Sequence, residues 1–384
     1  MWLRGGKASI LQARMGVRVQ EAAGAGSFRE FLHLPERLYR GDPDWSPPLW
    51  ADERRTFTCA NPILAHSDYR LLLARREGRA VGRVLAYVDR SFNAFYRSAT
   101  GFFGAFESED AEAADALLGE AESWLALRGM RSARGPINPV SECWGFLLEG
   151  HGRPATFMSP YNPPRYNDYA VGRGYAKAKD LLVYEADALE GYRIPERFLE
   201  FRRRLLERRP RLAVRRLELR RLEQEAEAIW RISNEAISGN WGYVPLDRQE
   251  LTRMFRQLKP IADPDAIWMV EDCGKAVGYA LGFPDLNVLL RRIHGRLLPF
   301  GFLTLLAGVR RLRDFRLFGL AVLPAYHGLG LDVLLYMSLF EALQPRGVRL
   351  EANYILEDNA RIRNALEKLQ LTRSKVYRVY EKGL

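Results

Sequence analysis

Cysteine and histidine are scarce in these 384 residues: three of the first, Cys59, Cys143 and Cys273, and five of the second. Cysteines so few and so far apart supply neither a disulfide framework nor a metal-ligand cluster, and a reducing cytoplasm fits them. The histidines show no H-E-x-x-H or similar spacing, so no metal is expected. Long apolar runs are also missing. The longest uncharged apolar stretch, Leu297 to Val309, has 13 residues, short of the ~18–20 that a helix needs to cross a bilayer. Met1 to Gly16 is basic and lacks the apolar core of a secretory signal. Residues 1–15 are expected to be a tail leading into a first strand at Met15-Gly-Val-Arg-Val.

What is present describes a globular chain. The length suits two domains, and 47% hydrophobic with 27% charged residues gives ample core material. The net charge is +11, and basic residues crowd Arg202 to Arg221. A solvated helix and linker explains that crowding, and attraction for a phosphate-bearing ligand fits it too. No nucleic-acid motif accompanies it, so no stable nucleic-acid partner is expected.

The segment Arg316 to Leu371 carries the most information. An apolar strand pattern leads through Pro324 to a loop with Gly328 and Gly330, then to a helix pattern running to Leu343. A strand feeding a glycine-bearing turn and a helix N-terminus makes an anion site, because the backbone comes close and its N–H groups are unpaired. A further strand pattern, Arg349 to Tyr354, leads to Asn359 and a helix ending in Glu367-Lys368-Leu369. This succession resembles the acyl-CoA-binding core of the GNAT acyltransferase superfamily. The loop R/Q-x-x-G-x-G/A of that superfamily falls on His327, Gly328, Leu329, Gly330, Leu331 and Asp332, and its N-x-x-A-x-x-x-Y-E-K helix begins at Asn359. The resemblance implies that the loop N–H groups hold the CoA diphosphate, with Leu320 to Val322 beside the pantetheine arm. It implies acetyl-CoA or a longer acyl-CoA as co-substrate and an amine as acceptor.

Three positions depart from that pattern. Asp332 stands where Gly or Ala is usual; two like charges ~6 Å apart at an effective dielectric of ~20 repel by roughly 3 kcal/mol. Leu366 occupies the place of the tyrosine that protonates the leaving thiolate, and His327 replaces Arg or Gln. A CoA-binding or regulatory protein without turnover is therefore the alternative from another class.

The chain also repeats itself. Residues 77–83 (EGRAVGR) match 273–279 (CGKAVGY), and 179–185 (KDLLVYE) match 375–381 (KVYRVYE), both at an offset of 196. Each copy reads as a hairpin turning at Gly78 or Gly274, then strand, helix, strand, helix and a Tyr-bearing strand. The expected fold class is α/β with mixed sheets: two tandem GNAT-type domains, 16–192 and 193–384. Copy one lacks the glycines; its strand runs into Glu107-Ser-Glu109-Asp110 and would repel a diphosphate. Copy two is the expected cofactor site. The motif order DPDWSPPL, INP, YNPPRY, KAKDL, NWGYVPL and PDLN looks like a family of bacterial tandem-GNAT proteins of unassigned substrate, over about residues 17–384.

Acyl transfer needs a base for the amine, donors for the oxyanion and an acid for the thiolate. Leu320 to Val322 offers backbone donors, Glu351 is the candidate base, and Tyr354, Tyr377 and Tyr380 are substitutes for the missing acid. Strand packing and ion pairing explain the same residues. Asn240, Trp241 and Tyr243, in the loop that in this superfamily receives the acceptor, and Asp285 and Asn287 after the hairpin are the candidate acceptor contacts. Turn chemistry and loop packing compete with that role. Copy two also has an extra stretch, Asn287 to Asp314, in which Leu and Phe alternate with Arg. A helical pair packed between the domains is the expected reading; a lid over a hydrophobic acceptor and a membrane-surface pair fit as well.

Overall fold

A computed structural model describes residues 16–140, 143–245 and 247–384. The expected tail, residues 1–15, lies outside the described residues. The first half contributes β1 (Arg18–Glu21), β2 (Asp68–Arg76), β3 (Arg79–Val88), β4 (Thr100–Ser108), β5 (Ser132–Gly135), β6 (Phe146–Glu149) and β7 (Ala176–Asp187). The second contributes β8 (Leu212–Arg216), β9 (Ile267–Asp272), β10 (Lys275–Pro284), β11 (Asp314–Val322), β12 (Arg349–Leu356) and β13 (Thr372–Gly383).

Local chemistry makes the two hairpins alike. Glu77 and Gly78 both have positive φ (52° and 82°), as do Cys273 and Gly274 (49° and 73°). Two successive left-handed residues make the tight turn whose twist matches antiparallel strands, and glycine removes the penalty at the second position. Each half then runs through a buried strand, β4 or β11, into a helix that covers the sheet. In the first half that helix, Ala111–Ala126, is capped by the Asp110 carboxylate accepting from Ala113 N–H at 3.0 Å. Its counterpart Leu331–Leu343 is apolar on nearly every side, and nine of its thirteen residues are buried.

All strands join one sheet in the order β1-β2-β3-β4-β5-β13-β7-β12-β11-β10-β9-β8, with β6 pairing β13 beside that path. The closing strands are exchanged. β7 of the first half pairs with β12 of the second, and β13 returns to pair with β5 and β6 of the first. β7 and β13 are themselves antiparallel neighbours, with Lys375 opposite Val183 and Lys179 opposite Val379. Those two pairs interchange under the offset of 196, so the repeat is also an approximate two-fold about the centre of the sheet. An exchange of this kind ties the halves by main-chain hydrogen bonds along two whole strands, far more than a side-chain interface offers.

The arginine-rich segment folds as helix Glu196–Arg208 and β8, and its cations are largely paired: Arg202 with Glu341, Arg203 with Glu207, Arg204 with Glu200, and Arg215 with Glu225 and Glu271. The extra stretch of the second half forms helices Asn287–Arg292 and Gly301–Gly308. The first packs on the protein as expected of the pair, with Leu289 and Leu290 buried; no residue of the second is buried. Among the described residues, no helix is long and apolar enough to cross a membrane, and no group of three or more His, Cys, Asp or Glu could hold a metal ion.

Candidate functional site

The loop between β11 and helix Leu331–Leu343 takes its shape from two left-handed glycines, Gly328 (φ +80°) and Gly330 (φ +75°). A Cβ at Gly328 would meet nothing within 4 Å, so that side of the loop is open. A Cβ at Gly330 would lie 2.5 Å from the ring of Phe201, whose helix roofs the other side. The helix begins at Leu331, where the first N–H groups have no intrahelical acceptor. His327 turns its ring back, Nε2 donating to the Val322 carbonyl at 2.8 Å, and leaves the loop backbone exposed. A diphosphate fits such a cradle. Phe201 also lines a cleft of about 720 Å³ with Arg197, Glu200, Arg204, Arg208 and Arg209, where four cations against one acid leave net positive charge in the same neighbourhood.

Asp332 neither faces the open loop freely nor points to solvent. Its Oδ1 accepts from the N–H of Val333 at 3.0 Å, and Oδ2 is 3.8 Å from Arg361. The carboxylate thus occupies a donor and a cation that an anionic ligand would otherwise meet. We expect Asp332→Ala to tighten CoA binding about tenfold, or ~1.4 kcal/mol, within the repulsion estimated for two nearby anions. Calorimetric titration with CoA measures it. Weakened binding would mean that the Asp332–Arg361 contact orders the loop.

Directly below the loop the parallel strands part. β11 and β12 are paired only from Asp314/Arg349 to Leu317/Ala352. The pairing of β10 with β11 skips a residue at Phe318, a bulge at the point of parting, where such irregularities re-aim backbone groups. Leu320 and Val322 lie beyond it and pair with Ala280 and Gly278 of β10, which leaves the β12 side of β11 unladdered there. The first half parts at the same place, after Phe102/Arg134, but its gap is filled. Ile137 N–H donates to the Phe103 carbonyl at 2.7 Å and Asn138 Oδ1 accepts from Ala105 N–H at 2.6 Å.

The polar side chains around the open gap bind a strap from the first half. Lys375 donates to the Pro154 carbonyl at 3.2 Å, Asn287 to Ala155 at 2.7 Å, and Arg316 to Phe157 at 2.9 Å. Asp285 accepts from Phe157 N–H at 2.8 Å, and Glu351 accepts from the Thr156 hydroxyl at 2.9 Å. Asn353 reaches Ser159 at 3.3 Å. Glu351 is also ion-paired with Lys375 at 2.7 Å, both almost wholly buried. The candidate base Glu351 and the candidate acceptor contacts Asp285 and Asn287 therefore serve as holders of residues 154–159. Burial pushes the Asp285 carboxyl up to about 6, against the two N–H groups that pull it down. Arg316, Lys375, Thr156, Ser159 and Asn353 were not singled out in the sequence. The two basic residues sit in strand patterns where an arginine or lysine reads as an outward side chain, and it is the strap from the other half, at Pro154 and Phe157, that covers them.

The three tyrosines separate. Tyr380 lies in the first half's core, its hydroxyl 2.9 Å from Asn167 Oδ1, and burial raises its pKa. Tyr377 is fully buried, and burial again raises its pKa. Tyr354 is half-buried on β12 two residues past the parting point, edge-on to Tyr377 with centroids 5.3 Å apart. Of the three it is the one at the gap. Leu366 is a core residue, and Asn359 caps helix Ala360–Lys368 by accepting from Ile362 N–H at 3.2 Å.

The 240–245 loop crosses to the other half. Asn240 closes a turn with Tyr243 N–H at 3.1 Å, and the Tyr243 carbonyl accepts from the Tyr96 hydroxyl at 2.8 Å. Trp241 stands edge-on to Trp144, centroids 6.4 Å apart, with the Arg134 guanidinium 5.2 Å from its ring. Trp144, Trp241, Val244, Tyr354 and Leu356 all border one core cluster as half-buried apolar groups, so the open gap has an apolar flank.

Two mixed-sheet halves, each with a strand–loop–helix crossover and a parted strand pair, define a tandem GNAT fold. The solved tandem GNAT protein from the clavulanic acid biosynthesis pathway, without AcCoA, has a TM-score of 0.55 at 12% identity, covering 96% of this chain and 98% of that one. No family model matches the chain. Over 368 residues it is 32% identical to the bacterial ceramide synthase of Caulobacter vibrioides, with 93% of this chain and 94% of that protein covered. It is 30% identical over 366 residues to Protein YghO of Escherichia coli, with 93% of each covered. The chain belongs to the family of these two proteins.

Proposed function

We propose that this chain is an acyl-CoA-dependent N-acyltransferase whose acceptor is the amino group of a long-chain amino alcohol, giving an amide of the ceramide type. The observation that carries the reaction class is the open parting of β11 and β12 beneath a glycine-shaped helix N-terminus. The acceptor class rests on the Caulobacter relative and on the apolar flank of the gap.

Bound acyl-CoA would supply the electrophilic thioester carbonyl. The loop at 328–332 and the arginines beside Phe201 hold its phosphates, and the unladdered edge of β11 donates to the developing oxyanion. The amine nitrogen forms the new bond to the carbonyl carbon as the carbon–sulfur bond breaks. Asn353 Oδ1 is buried at the gap without a hydrogen-bond partner among the described residues, and in this reading it accepts from the incoming amine. In this reading Tyr354, at the gap, returns a proton to the thiolate. Glu351, held by Lys375 and Thr156, is a poor base; the proton leaves by way of water at the mouth of the gap.

The test is incubation with acetyl- or long-chain acyl-CoA and a long-chain amino diol, with the amide read by mass spectrometry and the free thiol by colorimetry. Amide from the diol, and little from a polyamine or amino sugar, is expected. Tight CoA binding with no amide from any acceptor would overturn the proposal in favour of the regulatory reading, which the core position of Leu366 supports.

A further inference from the structure

Among the described residues twelve large hydrophobic side chains are exposed, and five of them fall within nine positions: Leu298 (79% exposed), Phe300 (71%), Phe302 (42%), Leu303 (52%) and Leu306 (60%). The other seven are scattered from Phe95 to Leu384. Single exposed apolar side chains are ordinary on a protein surface, whereas a contiguous set marks a contact. This set covers the tip of the extra stretch, the loop at 297–300 and helix Gly301–Gly308.

The stretch is firmly seated. Leu289, Leu290 and Leu312 are buried beneath it in a small core with Leu286. Trp50 of the first half donates its backbone N–H to Gly295 at 3.2 Å and its indole N–H to His294 at 3.0 Å. Arg291 donates to Ser46 at 2.9 Å. The apolar tip is thus displayed on a fixed base that spans both halves.

Charge names the partner. From Leu286 to Arg313 the sequence has six arginines and no aspartate or glutamate. Arg292, Arg310 and Arg311 are exposed, with no ion-pair partner among the described residues. The helix Glu196–Arg208, by contrast, pairs three of its five arginines, Arg202, Arg203 and Arg204, with neighbouring acids. An apolar tip of Leu and Phe flanked in the chain by the exposed Arg292, Arg310 and Arg311 matches an anionic bilayer surface, where side chains enter the acyl boundary and guanidinium groups meet phosphates. A protein partner with an apolar groove would satisfy the tip but leave these like charges to be matched residue by residue. We infer that residues 297–311 dock this protein on anionic membrane surfaces, so that the enzyme works at the lipid–water boundary. The inference stands on this patch alone and is independent of the acceptor proposed above.

Flotation of the full chain with phosphatidylcholine vesicles, with and without a third of phosphatidylglycerol, tests it. Binding to the anionic vesicles is expected to exceed binding to the neutral ones at least about tenfold and to fall in high salt. The paired change Phe300→Asp/Leu303→Asp should lower it by more than about tenfold, and Arg310→Glu/Arg311→Glu by a similar factor. All four side chains are exposed, so melting temperatures should stay unchanged and exclude misfolding. Equal vesicle binding by the aspartate variant would overturn the inference. So would a wild-type chain that ignores vesicles, including one that self-associates through this tip and becomes monomeric in the aspartate variant.

Discussion

Replacing Lys375 with methionine is expected to lower the free energy of unfolding by about 3–5 kcal/mol, the usual cost of breaking one side of a buried ion pair. Lys375 and Glu351 are 1% and 2% exposed, 2.7 Å apart. With the ammonium gone, Glu351 keeps the Thr156 hydroxyl as a donor, and a carboxylate so buried without its cation is strongly disfavoured. The Pro154 carbonyl loses its donor in the same change, which loosens the strap over the gap. The double variant Glu351→Gln/Lys375→Met should recover most of the loss, because a neutral amide can accept from Thr156 and no charge is left unpaired. Denaturant unfolding of the single and double variants measures both numbers. A cost below about 1 kcal/mol for the single change would mean that water reaches this face. Glu351 would then return as a candidate base.

The same pair shows where reading the sequence stops. The hairpins, the buried strands, the covering helices and the glycine loop were legible because each follows from local pattern: two left-handed residues at a turn, an apolar run, a cap, a glycine before a helix. Which closing strand enters which half was not. KDLLVYE and KVYRVYE present the same alternation and the same terminal Tyr-Glu, so either satisfies either sheet. The exchange is decided by contacts between segments almost two hundred residues apart. Once β13 crosses to β5 and β7 to β12, Lys375 and Glu351 become interior. Asp285 and Asn287, whose spacing after a hairpin suits a ligand contact equally well, become partners of residues 155 and 157. The loop at 240–245 was expected on the acceptor side, and Trp241 does border the apolar flank of the gap, though by leaning on Trp144 of the other half. The extra stretch split its expectation: its first helix packs, its second displays leucine and phenylalanine to solvent. Periodicity alone could not divide it, since Leu and Phe occur on every side.

The carboxyl of Glu107 should make stability fall as pH rises from 4.5 to about 7. It is buried in the first half, where its Oε2 accepts from the Tyr39 hydroxyl at 2.6 Å and the Tyr166 hydroxyl at 3.0 Å, with Arg83 4.0 Å from Oε1. Burial raises its pKa from the ordinary 4.5 to about 7; Arg83 and the two hydroxyls pull it down without offsetting the burial. The direction of the pH effect follows from proton counting. Below 4.5 both folded and unfolded chains hold the proton. Between 4.5 and about 7 the folded chain keeps it and the unfolded chain has released it, so each unit of rising pH costs up to ~1.4 kcal/mol. Over that window the loss reaches about 3 kcal/mol. Glu107→Gln keeps an acceptor for both tyrosines and cannot ionise. Its stability relative to the parent should therefore improve by about 3 kcal/mol between mildly acidic and mildly alkaline buffer, and the difference cancels contributions from other groups such as Asp285. Denaturation curves of both proteins across that range are the measurement. The position gives the result a functional edge, because Glu107 ends the strand that, in the second half, leads into the glycine loop. A buried carboxyl clasped by two tyrosines closes the first half's counterpart of that loop with protein, as Asn138 closes the strand gap beside it. A parallel pH dependence in the two proteins would show that Glu107 is ionised in the folded chain, and the first half would then hold an open anionic pocket instead of a filled one.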